Sequence, residues 1–178
     1  MKPKLLFHIC CGICFLSYLD FIKDYDATIF FYNPNVHPEE EYRKRLDSIK
    51  KIAKNYNFPI IEGEYNKKDW FHAVKGLEQE PENGNRCKIC FELRLKETVK
   101  FAKENGFTHF STTLNLSPYK DIIFINKLSN QLAQENNLQY LEFNFDKQER
   151  FELLHKAMKL AHSLNLYHQK YCGCLYSI

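Results

Sequence analysis

All seven cysteines of the chain lie in three short runs: Cys10-Cys11-Gly12-Ile13-Cys14, Cys87-Lys88-Ile89-Cys90 and Cys172-Gly173-Cys174. Two thiolates separated by two residues can converge on one metal ion or cluster. One such pair is weak as a signal. Three runs with no cysteine elsewhere depart from the scatter expected of thiols packed as small hydrophobes. A structural zinc closes its site with four ligands, and a [4Fe–4S] cluster takes up to four thiolates. Either leaves thiols over for a second metal or a thiol–disulfide pair. Only Gly173 separates Cys172 from Cys174, so a disulfide there would be strained and labile. Gly12 suggests a chain turning off a strand end, which would let Cys10 and Cys11 face one site rather than opposite sheet faces.

The elements that must position these thiols follow from the hydrophobic pattern. Leu5–Ile9 reads as a buried strand and Phe15–Tyr25 as the helix after it. Thr28–Tyr32, Ile60–Glu62, His109–Thr113 and Gln139–Phe143 supply four further strands. Between and after them come helices over Glu39–Tyr56, Lys68–Lys75, Lys88–Asn105, Asp121–Asn136 and Phe151–Leu164. Gln79–Arg86, with Pro81, Asn83, Gly84 and Asn85, reads as a loop, and the tail Tyr167–Ile178 has no clear period. Alternating strands and helices predict one α/β domain over residues 1–178. Its mostly parallel five-stranded sheet would be covered on both faces, a three-layer Rossmann-like architecture. Ligands in such sheets bind beyond the carboxyl ends of the strands. Cys10-Cys11, Asn33-Pro34-Asn35, Thr112-Thr113 and Ser117-Pro118-Tyr119 all fall at that rim.

Composition narrows the setting. The 178 residues are 44% hydrophobic and 26% charged, ordinary for a globular chain with its own core and no need of disulfides. The formal charge of +3 permits a nucleic acid as partner without demanding one. The apolar N-terminus contains His8 and three cysteines and runs on into Asp20, so it reads as a strand and not as a secretory leader. No stretch approaches the ~20 apolar residues of a membrane span. Clustered thiols in an odd number suit metal or redox chemistry in a reducing cytoplasm.

With these motifs in place, the chain resembles the epoxyqueuosine reductases of the cobalamin-independent QueH type. The resemblance rests on His8 to Cys14, Phe31 to Pro38 with Glu41-Tyr42, and Asn85 to Cys90 with Arg94-Leu95. It continues through Thr112-Thr113-Leu114 with Ser117-Pro118-Tyr119, and ends with Tyr167 and Gln169 to Cys174. It runs the length of the chain in order. Two departures stand out: His168 replaces an Arg, and Asn144-Phe145-Asp146 replaces Asp-Phe-Arg, each removing an anion-binding side chain.

The resemblance implies a HUP/PP-loop-like fold and reductive removal of the epoxide oxygen of epoxyqueuosine at the tRNA wobble position, giving queuosine. It further implies a [4Fe–4S] cluster with a second iron close by. By that likeness Cys10, Cys11, Cys87 and Cys90 hold the cluster. Cys172 and Cys174 then form a redox pair or hold the second metal, with Cys14 beside them. Asn33, Asn35, Thr112, Thr113, Ser117 and Tyr119 become substrate contacts. The departing oxygen needs an acid, for which His8, Tyr32, His37 and Tyr119 are candidates. A structural role is the commoner one for such residues near strand ends.

Arg43, Lys44, Arg45, Lys50, Lys51 and Lys54, with Lys67, Lys68, Lys96, Lys100 and Lys103, offer a basic face for tRNA, although acidic residues are interleaved. The chain has no flavin or nicotinamide fingerprint, so electrons would come from a ferredoxin or flavodoxin. Two other classes fit the composition. One is a PP-loop-like tRNA enzyme such as a thiolase, against which stands the lack of a Ser-Gly-Gly-x-Asp-Ser loop. The other is a zinc-stabilised, non-catalytic RNA-binding module.

Overall fold

The computed structural model describes residues 1–177; Ile178, the last residue of the tail, lies outside them. Five parallel strands form one sheet in the order β3-β2-β1-β4-β5. They are β1 (Lys4–His8), β2 (Asp26–Phe31), β3 (Ile60–Glu62), β4 (His109–Thr112) and β5 (Gln139–Tyr140). Six α-helices join and flank them: α1 (Gly12–Leu16), α2 (Glu39–Tyr56), α3 (Lys67–Ala73), α4 (Asn85–Glu104), α5 (Ile122–Glu135) and α6 (Lys147–Ser163). Two 3₁₀ turns, Thr113–Leu116 and Leu175–Ser177, close the β4 exit and the tail.

Strand β1 is central, with Leu5, Leu6 and Phe7 all fully buried, as expected where both sheet faces are covered. Leu5, Phe7 and Ile9 pack with Tyr42, Leu46 and Ile49 of α2 and Ala157 and Ala161 of α6. On the other face Leu6, Phe30 and Phe110 pack with Leu95 and Val99 of α4 and Ile125 and Leu132 of α5. The three-layer α/β expectation is therefore met.

Some boundaries differ for local reasons. The first helix begins inside the cysteine run, at Gly12, and stops at Leu16 instead of extending over Phe15–Tyr25. Phe15, Tyr18 and Ile22 are buried, but the segment advances by i→i−3 bonds such as Tyr18 N to Phe15 O (2.9 Å) and Phe21 N to Tyr18 O (2.9 Å). A spacing near three suits both readings. Helix α4 starts at Asn85, three residues before the expected Lys88, because Glu80 accepts from Asn85 N (2.9 Å) and anchors its first turn. Strand β5 ends at Tyr140, short of Phe143. Helix α6 starts at Lys147 on a capping box in which Asp146 accepts from Glu149 N (2.9 Å) and Glu149 from Asp146 N (2.7 Å). Asp146, one of the departures from the family pattern, thus serves as a helix cap.

Candidate active site

The strand order reverses direction at β1, whose neighbours β2 and β4 lead to opposite edges of the sheet. The crevice beyond the carboxyl ends of β1 and β4 is the place where folds of this type receive ligands. Here it is filled with thiols.

Cys10 leaves β1 directly. Its backbone N–H donates to Thr113 Oγ1 (3.2 Å), and its Sγ lies 3.4 Å from the same hydroxyl. Cys11 is the N-cap of α1, and Cys14 sits one turn on, with the two sulfurs 2.7 Å apart. The sulfurs of Cys10, Cys11 and Cys14 all fall within 4.8 Å of one another, a spacing that suits metal binding. Gly12 lets this turn press against α2, since a Cβ there would stand 2.8 Å from Ile52 Cδ1.

Cys87 lies in the first turn of α4 and Cys90 one turn on, and Cys87 Sγ accepts from Asn83 N (3.3 Å). Cys172 and Cys174 come from the tail. Arg45 and His37 hold that segment. Arg45 donates to the carbonyls of Cys172 (2.9 Å) and Tyr171 (2.8 Å), and His37 N donates to Gly173 O (2.8 Å). Gly173 has φ +102°, and a Cβ there would lie 2.9 Å from Val36 Cγ2 and 3.1 Å from Arg45 Nη1. Trp70, Val74, Cys90 and Cys174 then pack as one buried group, joining α3, α4 and the tail.

One cavity is lined by Cys10, Cys87, Cys90, Cys172 and Cys174 together with Asn35, Trp70, Glu82, Arg86, Phe91, Arg94 and Lys120. Cys10 belongs both to this cavity and to the triad with Cys11 and Cys14. All seven cysteines are free thiols. Hydrogen bonds from Cys11 and Cys14 hold the Cys10 thiol well below its ordinary range, helped by the charges of Lys120 and Arg94. Cys11 is pushed up to about 12 in return. Cys172 is lowered to about 5, chiefly by a hydrogen bond from Cys174, whose own thiol is raised. Burial pushes Cys87 and Cys90 up.

The other expected site residues divide into scaffold and cavity wall. Both ring nitrogens of His8 are engaged, Nδ1 with Thr112 Oγ1 (2.8 Å) and Nε2 with Tyr32 O (3.1 Å). Burial holds this imidazole neutral, lowering it to about 3, and its one N–H is donated to Tyr32 O. Thr112 also accepts from Leu114 N (3.1 Å). Asn33 donates to Ile9 O (2.9 Å) and accepts from Arg94 Nη2 (2.5 Å), tying β1 to α4. Ser117 Oγ accepts from Tyr119 N (3.3 Å).

Tyr32 is buried beside Phe30, and its phenol is pushed up to about 12, first by burial. His37 donates from Nδ1 to Asn35 O (2.8 Å) and packs on Trp70 and Phe71. Burial also lowers its imidazole below the ordinary range. Asn35 reaches the cavity wall, whereas Tyr119 is 71% exposed on the rim. Of the basic face, Arg45 is a correction. It is buried and paired with Glu41 at 2.8 Å, because its guanidinium is needed to hold the tail.

Arg86, Trp70 and Lys120 were not singled out from sequence. Arg86 is 1% exposed and donates to Leu77 O (3.3 Å) and Glu78 O (2.9 Å), so it shapes the loop before α4. Buried polar atoms on four wall residues, Asn35 Oδ1, Trp70 Nε1, Arg86 Nε and Arg94 Nε, have no partner among the described residues. A thiol set of this kind, with polar atoms left over around it, suits a thiophilic metal centre.

The sequence profile of the family described as epoxyqueuosine reductase QueH matches residues 5–178. The chain belongs to the QueH family. The epoxyqueuosine reductase QueH of Histophilus somni (strain 129Pt) is 35% identical over 178 residues, covering 98% of this chain and 72% of that protein. That of Acinetobacter baylyi is also 35% identical, with 98% and 80% covered. The Thermotoga maritima protein is 32% identical, with 97% and 89% covered. Membership makes the chain an oxidoreductase of the epoxyqueuosine-reducing type. Among solved structures, the U34-tRNA thiolase NcsA from Methanococcus maripaludis with its [4Fe-4S] cluster superposes with a TM-score of 0.56 at 13% identity. The match covers 99% of this chain and 62% of that one, a likeness of fold.

Proposed function

We propose that this chain, acting as a single domain in the cytoplasm, reduces epoxyqueuosine at the tRNA wobble position to queuosine in the cysteine-lined cavity at the sheet's switch point. The observation that carries this reading is the convergence of three sequence-distant thiol runs on one crevice in a member of the QueH family. A [4Fe–4S] cluster held by Cys10, Cys11, Cys87 and Cys90 fits the donor set. NcsA, which shares the fold, carries such a cluster. Cys172 and Cys174, with Cys14, serve either as ligands of a second iron or as a thiol pair. When bound, iron–sulfur supplies one-electron transfers and a Lewis-acidic iron.

The rest is protein chemistry. Thr113 orients Cys10, Arg45 orients the tail thiols, and His8, Thr112 and Asn33 hold the strand ends in register. Asn35 faces the substrate from the cavity wall, and exposed Tyr119 offers a ring for a base drawn out of its stack. Epoxide reduction to an alkene needs two electrons and two protons and releases water. A ferredoxin or flavodoxin is the fitting donor.

The test is anaerobic incubation of the iron-reconstituted protein with epoxyqueuosine-tRNA and a strong one-electron reductant, followed by mass analysis of the nucleosides. Queuosine, lighter by one oxygen, is expected. Unchanged epoxyqueuosine with fully loaded protein would overturn the reading.

A further inference from the structure

The cavity holds three cations, and two of them are committed elsewhere. Arg86 donates to main-chain carbonyls before α4, and Arg94 donates to Asn33. Lys120 is different. It sits on the connection between β4 and α5, over the switch point; the carboxylate of Glu82 lines the same cavity, but neither it nor any other carboxylate forms an ion pair with Lys120 among the described residues.

Its loop is pinned from both sides. Asn83 Nδ2 donates to Tyr119 O, Lys120 N donates to Ser117 O (3.3 Å), and Asp121 caps α5 by accepting from Phe124 N (3.0 Å). Tyr119 therefore stays outside while Lys120 joins the wall.

Opening an epoxide to an alkene breaks two C–O bonds and forms one C=C bond. Two electrons arrive from the external reductant, and the oxygen takes two protons from solvent and leaves as water. Negative charge grows on that oxygen as the first C–O bond breaks, and a fixed cation is the group that stabilises it most. The four acid candidates read from sequence do not supply one. His8 is neutral and fully engaged, Tyr32 and His37 are absent from the cavity wall, and Tyr119 is exposed. The unpartnered indole N–H of Trp70 carries no charge.

We propose that Lys120 is a catalytic residue whose ammonium hydrogen-bonds the epoxide oxygen and takes up its developing charge. This rests on the proposed reaction. The competing account makes Lys120 a structural counter-charge to the thiolates, and the two differ in what they predict for iron binding.

The experiment uses iron-reconstituted wild type, Lys120→Met and Lys120→Arg under anaerobic conditions. Three quantities are read: iron per chain, the single-turnover rate with excess reductant, and the binding ratio of epoxyqueuosine-tRNA to queuosine-tRNA without reductant. The expected result is unchanged iron in both variants and a rate about 100- to 1,000-fold lower in Lys120→Met. The preference for the epoxide should vanish in Lys120→Met and survive in part in Lys120→Arg. A wild-type rate in Lys120→Met overturns the inference, as does loss of iron in that variant with its retention in Lys120→Arg, the mark of a structural counter-charge. Loaded wild type that leaves epoxyqueuosine intact would instead overturn the proposed function, while the binding ratio still reads Lys120 separately.

Discussion

His8 illustrates how a residue at the rim of the sheet can be positional. A carbonyl only accepts, so the bond to Tyr32 O fixes the proton on Nε2, and Nδ1 then accepts from the Thr112 hydroxyl. Thr112 in turn accepts from Leu114 N, so the chain of bonds runs from β2 through β1 to β4. Burial lowers the folded-state value from 6.5 to about 3. The unfolded chain therefore binds the extra proton first, and stability falls as pH drops below about 6.5 towards about 3. At pH 5 the loss from this one group is about 2 kcal/mol. Urea denaturation of the metal-free protein at pH 7.5 and pH 5, in wild type and His8→Gln, checks this. The drop should be smaller in the variant, and equal drops would contradict the assignment. From sequence, His8 stood among the acids because its place at a strand end was legible. Its partners, 24 and 104 positions away, were not.

At the scale of elements, the tail and helix α2 depend on each other. The Cys-Gly-Cys run was readable as ligands, but its aperiodic surroundings gave no clue to its place. The answer lies in Arg45, which sequence reading put on a solvated basic face because its neighbours on α2 are charged. Instead it points inward, paired with Glu41 and bonded to the two carbonyls that lead into Gly173. Arg45→Met leaves a buried carboxylate without its partner, which costs about 3–5 kcal/mol. Denaturant unfolding should show that loss, and reconstitution should show less iron per chain. Full iron uptake in a folded Arg45→Met protein would mean the tail thiols find their place without it. The helix starts teach a related lesson. The Glu80 carboxylate on Asn85 N and the Asp146 cap set the true first turns of α4 and α6, and side-chain bonds of this kind are local signals that apolar periodicity passes over.

For the whole molecule, the order of alternating strands and helices was enough to place Cys10 and Cys11 at one end of a parallel sheet. The family resemblance added the reaction. What the pattern could not reveal was pairing on the surface. Arg43, Lys44, Lys50, Lys67, Lys96 and Lys100 of the expected basic face each lie within 4.0 Å of a carboxylate: Glu39, Glu40, Glu62, Glu39, Glu92 and Glu97 respectively. Few cations are left for phosphates. Binding of an anticodon stem-loop should therefore weaken with salt along a shallow log–log slope of about −2 to −4, equivalent to two to four released counterions. A slope steeper than about −6 would mean that these ion pairs open to take up phosphates.

In the proposed function the converging thiols form an iron–sulfur reducing centre. It is tested most directly by measuring iron, zinc and acid-labile sulfide on the same anaerobic sample that is assayed for epoxyqueuosine reduction, before and after chelation and reconstitution. The account predicts a brown protein with broad absorption near about 400 nm that contains iron and sulfide. Queuosine formation should disappear on chelation and return with iron and sulfide. Colourless protein holding zinc, or reduction that persists after the metal is removed, would contradict it.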